Sequence, residues 1–292
     1  MPQEKHRNWQ KMSLPGKIFH NAGLFILRHP IGQLIALFFR ALASLFSKNR
    51  SFKTDSRNII MQTFFTGVEI FPVLFTVAVL FGTVTIIEVV TMTGKMGFSD
   101  FVGDMLVIVL IRELGPILTA FLIAGRSGSS LTTYIGTMVI NSEVDALATM
   151  GVDPIRFLVM PGLFGGCIAV FFMNIVFSTS AIVVGYLMTK IAIVLTGNIM
   201  NLQLTWSYLS NAILGAITMT DFVFIVLKPI VFGIIITTNA CFQALSIPKD
   251  VRQVPKATSR SVIKSFLYVV VADVAMSIFY FVDYMKSLST LI

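Results

Sequence analysis

The chain has 292 residues, 55% of them hydrophobic and 12% charged, with a formal net charge of +8 and a mean hydropathy of +0.85. A soluble domain carries about 25% charged residues, so this composition describes an integral membrane protein with little room for a soluble domain. The positive charge does not point to nucleic acid, because ten of the 22 Lys/Arg precede residue 58, against only Glu4 and Asp55. Basic residues beside a first membrane span set topology and contact anionic lipid.

The N-terminal arm, residues 1–57, lacks the charged, apolar and small-residue succession of a signal peptide. Within it, "PIGQLIALFFRALASLFSK" (30–48) places Gln33, Arg40, Ser44 and Ser47 on one narrow face at helical spacing. Pro30 suits the first helical turn. A thin polar face on an apolar helix predicts a helix in the membrane interface, or one packed on the protein's own spans.

Residues 58–292 form the membrane domain. Five segments reach the roughly 20 apolar residues needed to cross a bilayer, near 64–91, 101–125, 157–189, 222–245 and 262–285. The more polar 199–219, with Trp206 and Tyr208, reads as interfacial or re-entrant. The loop 246–264 has five basic residues against Asp250. With the N-terminus inside, that loop and 126–156 both fall on the cytoplasmic side, as the positive-inside rule requires. The fold class is therefore all-α: an interfacial helix, about five spans, and a short helix between spans 2 and 3.

Two spans carry charge. Glu69 precedes Pro72 in "TGVEIFPVLF", and Arg112 and Glu113 precede Pro116 in "LVIVLIRELGPILTAFLIAGRSGSS". A charged residue at the centre of a span costs about 2.5–3.5 kcal/mol on insertion scales. Pro116 removes the hydrogen bond to the Arg112 carbonyl and exposes a polar backbone group. Arg112 and Glu113, adjacent on a helix, point to different sides. Either they pair with neighbouring helices, or they line a cavity together with Glu69 and Pro116 and face lipid headgroups. Glu69 either faces the same cavity or pairs with Arg112. Arg126 ends the span at the cytoplasmic surface, and Asp273 and Asp283 in the last span have no partner legible in the sequence.

In "GTMVINSEVDALATMGVDPIRF", Ser142 and Asp145 predict a capping box. Gly151 and Pro154 predict the stop. The helix so bounded, Glu143 to Met150, presents Val144, Ala146, Leu147 and Met150 among the acids Glu143 and Asp145. It is too short to stand alone, so it packs on the protein's own spans or in a groove of a cytoplasmic partner. Gly162 and Gly166 have the small-xxx-small spacing of close helix packing. Neither a P-loop nor a metal-ligand cluster is visible; Cys167 and Cys241 lie far apart, and His6, His20 and His29 all fall in the arm. The chain reads as non-catalytic.

"RELGPILTAFLIAGRSGSSLTTYIGTMVINSEVDALATMGVDPIRFLVMPG", Arg112 to Gly162, closely resembles the central signature of the MlaE/YrbE permease family. The matching elements are RE-[IL]-GP, AGR-x-G-[AS], [IL]-GTM and E-x-DAL-x-x-MGVDP. "VPKATSRSVIKS" is similar to the family's segment before the last span, with Lys256 where glycine is usual. The resemblance covers roughly residues 20–285. It implies the permease subunit of an ABC-type phospholipid transporter of the inner membrane. Such a subunit pairs with a second permease, identical or paralogous. It docks two cytoplasmic ATPases, which bind ATP and Mg, on its coupling helix (Glu143 to Gly151). It meets MCE-domain proteins on the outer face, and some systems add a STAS-domain protein. Phospholipid occupies a cavity between the permeases. The alternatives are an ion-coupled carrier using Glu69, Arg112, Glu113 and Asp273 as a relay, and a non-transporting scaffold.

Overall fold

The computed structural model describes residues 30–44, 52–98, 101–195 and 205–289. The chain divides into two units, Met1–Arg50 and Ser51–Ile292. In the first, Pro30–Ser44 is a helix that starts at the expected proline; Ser47 of the expected polar face lies outside the described residues.

Among the described residues the second unit holds five helices long and apolar enough to cross a membrane: Arg57–Met96, Val102–Ile140, Ile155–Leu195, Met219–Leu245 and Gln253–Val282. No strand occurs among the described residues. Several spans run past the ends that hydropathy alone suggests. Helical hydrogen bonding does not stop where apolar residues give way to polar ones. The largest difference is in the second span, where the expected loop after Arg126 is a continuation of the helix to Ile140. Its Ser and Thr hydroxyls bond back to carbonyls one turn earlier, as Ser129 does to Gly125 and Thr132 to Gly128. The Thr132 hydroxyl also lies 2.9 Å from Ser261 Oγ of the fifth span. The polar sequence is thus satisfied inside a bundle, without a turn.

The spans are interrupted where the sequence breaks its apolar runs. Val68–Ile70, around Glu69, is a 3-10 turn in the first span. Val107–Leu114, around Arg112 and Glu113, is π-helical, as are Ala124–Gly128 and Ile155–Val159. Such widened turns cluster at functional positions.

Among the described residues, apolar clusters hold the bundle, a small one at Ile70, Ile123 and Val170 and two larger ones. One joins spans 1, 2 and 3 and the helix Trp206–Ala216 through Leu74, Ile86, Leu106, Leu110, Phe177 and Leu209. The other joins spans 2, 4 and 5 through Ala120, Phe232, Ile236 and Val269. Spans 1 and 3 cross backbone to backbone at Gly82 and Gly185, where a Cβ on Gly82 would lie 2.2 Å from the Ala181 carbonyl oxygen. Of the glycines expected to pack closely, Gly166 does so against Thr237, whereas Gly162 leaves room for a Cβ at ordinary distances.

The loop helix is Glu143–Thr149, with Met150 as its C-cap and Gly151 at φ +78°. The expected capping box is absent. Ser142 takes φ +59° and makes no cap hydrogen bond. Its hydroxyl instead accepts from Lys249 Nζ, which also pairs with Asp145 at 2.7 Å. This pair places the loop 141–154 and the loop 246–252 at one end of the bundle, the shared side that the order of the spans leads one to expect.

Candidate functional site

Spans 2, 4 and 5 meet at a buried ionic cluster. Lys228 Nζ, 1% exposed, donates to Glu113 Oε2 at 2.9 Å, to Ser277 Oγ at 3.1 Å and to the Arg112 carbonyl at 3.2 Å. These three bonds use the three protons of its ammonium. Asp273 Oδ1 lies as close, at 2.9 Å, so four acceptors surround an ammonium with three protons. Ser277 passes its own proton toward Glu113.

Arg112 anchors the other half. Its Nη1 lies 3.4 Å from Asp221 Oδ1 and its guanidinium sits 4.1 Å over the Tyr280 ring, a favourable cation–π geometry. Asp221 is held in turn by a capping box with Thr218 at the start of the fourth span. Two cations, Arg112 and Lys228, thus face three carboxylates, Glu113, Asp221 and Asp273. Contrary to the expected divergence, Arg112 Nε also comes within 3.5 Å of Glu113 Oε1. Glu113 is the most open carboxylate of the three, with 30% of its side chain accessible.

Beside the cluster, Phe224 packs edge-on against Tyr280 and also lines an apolar groove of about 550 Å³ between spans 4 and 5, with Leu227, Met276 and Phe279. Behind it, Gly115 brings span 2 close to Asn174 and Ser178 of span 3. The buried side-chain polar atoms of Asn174, Ser178 and Thr119 have no hydrogen-bond partner among the described residues. Pro116, also buried, follows the cluster and faces away from open space.

Glu69 does not join this site. It pairs with Arg126 at 3.4 Å, and Arg126 also donates to the Glu69 carbonyl. Both line a second, open groove of about 560 Å³ between spans 1, 2 and 3. Of the four residues expected to share one cavity, Arg112 and Glu113 are together, Pro116 is their neighbour in the chain, and Glu69 stands apart. Sequence reading missed Lys228, Asp221, Ser277 and Tyr280. Lys228 carried a signal, being a lone cation in the apolar stretch Met219–Leu245, where its charge demands a partner. The side chain of Asp283 lies outside the described residues.

At the loop end, Val144 and Leu147 are half-buried while Met150 is 68% exposed. Among the described residues, no three His, Cys, Asp or Glu side chains gather to hold a metal ion.

Residues 59–279 match the family model described as Permease MlaE. The chain belongs to the MlaE permease family. It is 26% identical over 229 residues to "Protein TRIGALACTOSYLDIACYLGLYCEROL 1, chloroplastic" of Arabidopsis thaliana, covering 78% of this chain and 63% of that protein. It is 27% identical to a probable ABC transporter permease protein of Rickettsia prowazekii, over 76% of this chain and 83% of the relative. To a probable ABC transporter permease protein of Pyropia yezoensis it is 26% identical, over 85% and 89%. This MlaE-family chain is thus an ABC transporter permease and a multi-pass membrane protein. The π-helical segments Val107–Leu114, Ala124–Gly128 and Ile155–Val159 all lie inside the matched region.

Proposed function

We propose that this permease moves phospholipid, or a related hydrophobic molecule, between the inner membrane and an outer MCE-protein conduit. In this reading a separate cytoplasmic ATPase binds ATP and Mg and drives the cycle. The chain itself is non-catalytic, pairs with a second permease subunit, and has its N-terminus in the cytoplasm. A STAS-domain protein on the ATPase is compatible with it. The observation that carries the reading is the ionic cluster beside an apolar groove. Phosphate suits the Arg112 fork, an amine suits Glu113, and acyl chains suit the groove lined by Leu227 and Phe279. The name of the Arabidopsis relative, that of a galactolipid, supports a lipid substrate. The exposed loop helix supports an ATPase contact, since Met150 stands out from the bundle end.

The test is reconstitution. The permease in liposomes moves labelled phospholipid only when its ATPase and ATP are supplied, and Glu113→Gln impairs transport while the ATPase still co-purifies. Transport by the permease alone, following an imposed ion gradient, would instead select the carrier reading, in which Glu113 and Asp273 around Lys228 relay a proton.

A further inference from the structure

The groove containing Glu69 and Arg126 is a second charged site, remote from the Lys228 cluster. Arg126 follows Arg112 by 14 positions in one span, about 21 Å along a helix axis. The apolar stretch Leu106 to Gly125 would fill roughly 30 Å of hydrocarbon. Arg126 therefore stands at its edge, at headgroup level, on the side of the loops 141–154 and 246–252. Glu69 reaches the same level from the first span.

Both members of the pair are half-exposed to the groove, at 51% and 48%. Such an open pair at 3.4 Å contributes little to holding helices together, and the Arg126 fork keeps edges free for a further acceptor. Ser130 and Tyr134 also line the groove. Exposed Phe65 and Met61 continue its wall into the apolar outer surface. A groove with one cation, one carboxylate and an apolar exit matches a zwitterionic headgroup with acyl chains. A purely anionic ligand would leave Glu69 opposed to it.

We propose that this groove is a loading site for a phospholipid with a primary amine headgroup, taken from the leaflet on the loop side. Its phosphate sits on Arg126 and its amine on Glu69. The inference rests on the lipid-permease reading and adds a place where substrate is first held.

The experiment is native mass spectrometry of the full chain released from nanodiscs of equimolar palmitoyl-oleoyl phosphatidylethanolamine and phosphatidylcholine. The wild type retains the ethanolamine lipid over the choline lipid by on the order of tenfold, the scale of one charge-assisted hydrogen bond. Glu69→Gln loses the preference but keeps lipid. Arg126→Ala loses most of both lipids, and Arg126→Lys keeps an intermediate amount. Gly94→Ala, in the same span as Glu69 but with nothing within 4 Å of its added methyl, leaves the preference intact. An unselective wild type, which needs no variant to fold, overturns the proposal. So does a preference that survives Glu69→Gln, or one abolished equally by Gly94→Ala. Variants that shift the monomer–dimer ratio with lipid retention unchanged would make the groove a contact between copies, and displacement by free glycerophosphoethanolamine would make it a site for a soluble headgroup. Loss of transport in Glu113→Gln with an unaltered lipid preference in Glu69→Gln sinks this inference and leaves the permease reading standing.

Discussion

Lys228 Nζ lies 3.2 Å from the carbonyl oxygen of Arg112, the acceptor to which Pro116, four residues later, has no N–H to offer. A proline in a span leaves a backbone carbonyl that lipid cannot satisfy. Here a lysine from another span supplies the donor and brings its charge to Glu113 and Asp273 at the same time. The π-helical turn, the proline and the buried lysine are one device.

Lys228→Met should therefore be the most damaging change in the cluster. It strands two carboxylates and a carbonyl, and removing one partner of a buried pair costs about 3–5 kcal/mol. Thermal unfolding in detergent reads the loss. Combining it with Asp273→Leu should recover a good part, because the second change removes one of the stranded charges. A double variant no more stable than Lys228→Met alone would mean that Asp273 is not coupled to the lysine.

Glu113→Gln should separate function from folding. The amide keeps the side-chain shape and can still accept from Lys228 and Ser277, while Asp273 remains beside the lysine. A stability change near 1 kcal/mol is expected, the scale of a single hydrogen bond, together with a marked fall in lipid transport. Unfolding as severe as that of Lys228→Met would assign Glu113 to structure.

The glycine contacts give a matched pair. Gly82→Ala places a methyl 2.2 Å from the Ala181 carbonyl oxygen, so spans 1 and 3 must part, at about 1–3 kcal/mol or more. Gly94→Ala, in the same span, meets nothing within 4 Å and should be neutral or gain up to about 1 kcal/mol of helix propensity. Equal midpoints for the two variants would show that the crossing is not tight.

At the loop helix, Met150→Arg should abolish ATPase co-purification with insertion and thermal stability unchanged, since Met150 is exposed. Leu147→Arg should do the same but also loosen the loop, because Leu147 is half-buried. Lys249→Ala removes an exposed pair with Asp145 and should cost less than about 1 kcal/mol. Normal ATPase binding by Met150→Arg would rule out this face as the docking surface.

Much of the architecture was legible because the signals behind it are local. Apolar runs give five spans, and Gly151 at positive φ ends the loop helix where its residue type suggests. The second span misled at "AGRSGSS", since glycine and serine read as a turn when nothing is known of the helices alongside. In the bundle those small residues admit close neighbours: Gly128 faces Ile236 at 3.3 Å from a Cβ, and Thr132 reaches Ser261. The capping box at Ser142 failed for a related reason, as Lys249 from the loop 246–252 claims its hydroxyl.

Residue order alone gives five apolar runs long enough to cross a bilayer, the places where those runs break, and the need of charges such as Arg112 and Glu113 for partners. The packing of the bundle selects those partners. Arg112 meets Asp221 and Glu113 meets Lys228 across more than a hundred residues, while Glu69 turns to Arg126. The cost of a charge in lipid is a property of the residue and can be read in one dimension. The group that relieves it is set by which helices pack side by side, and that is a property of the bundle.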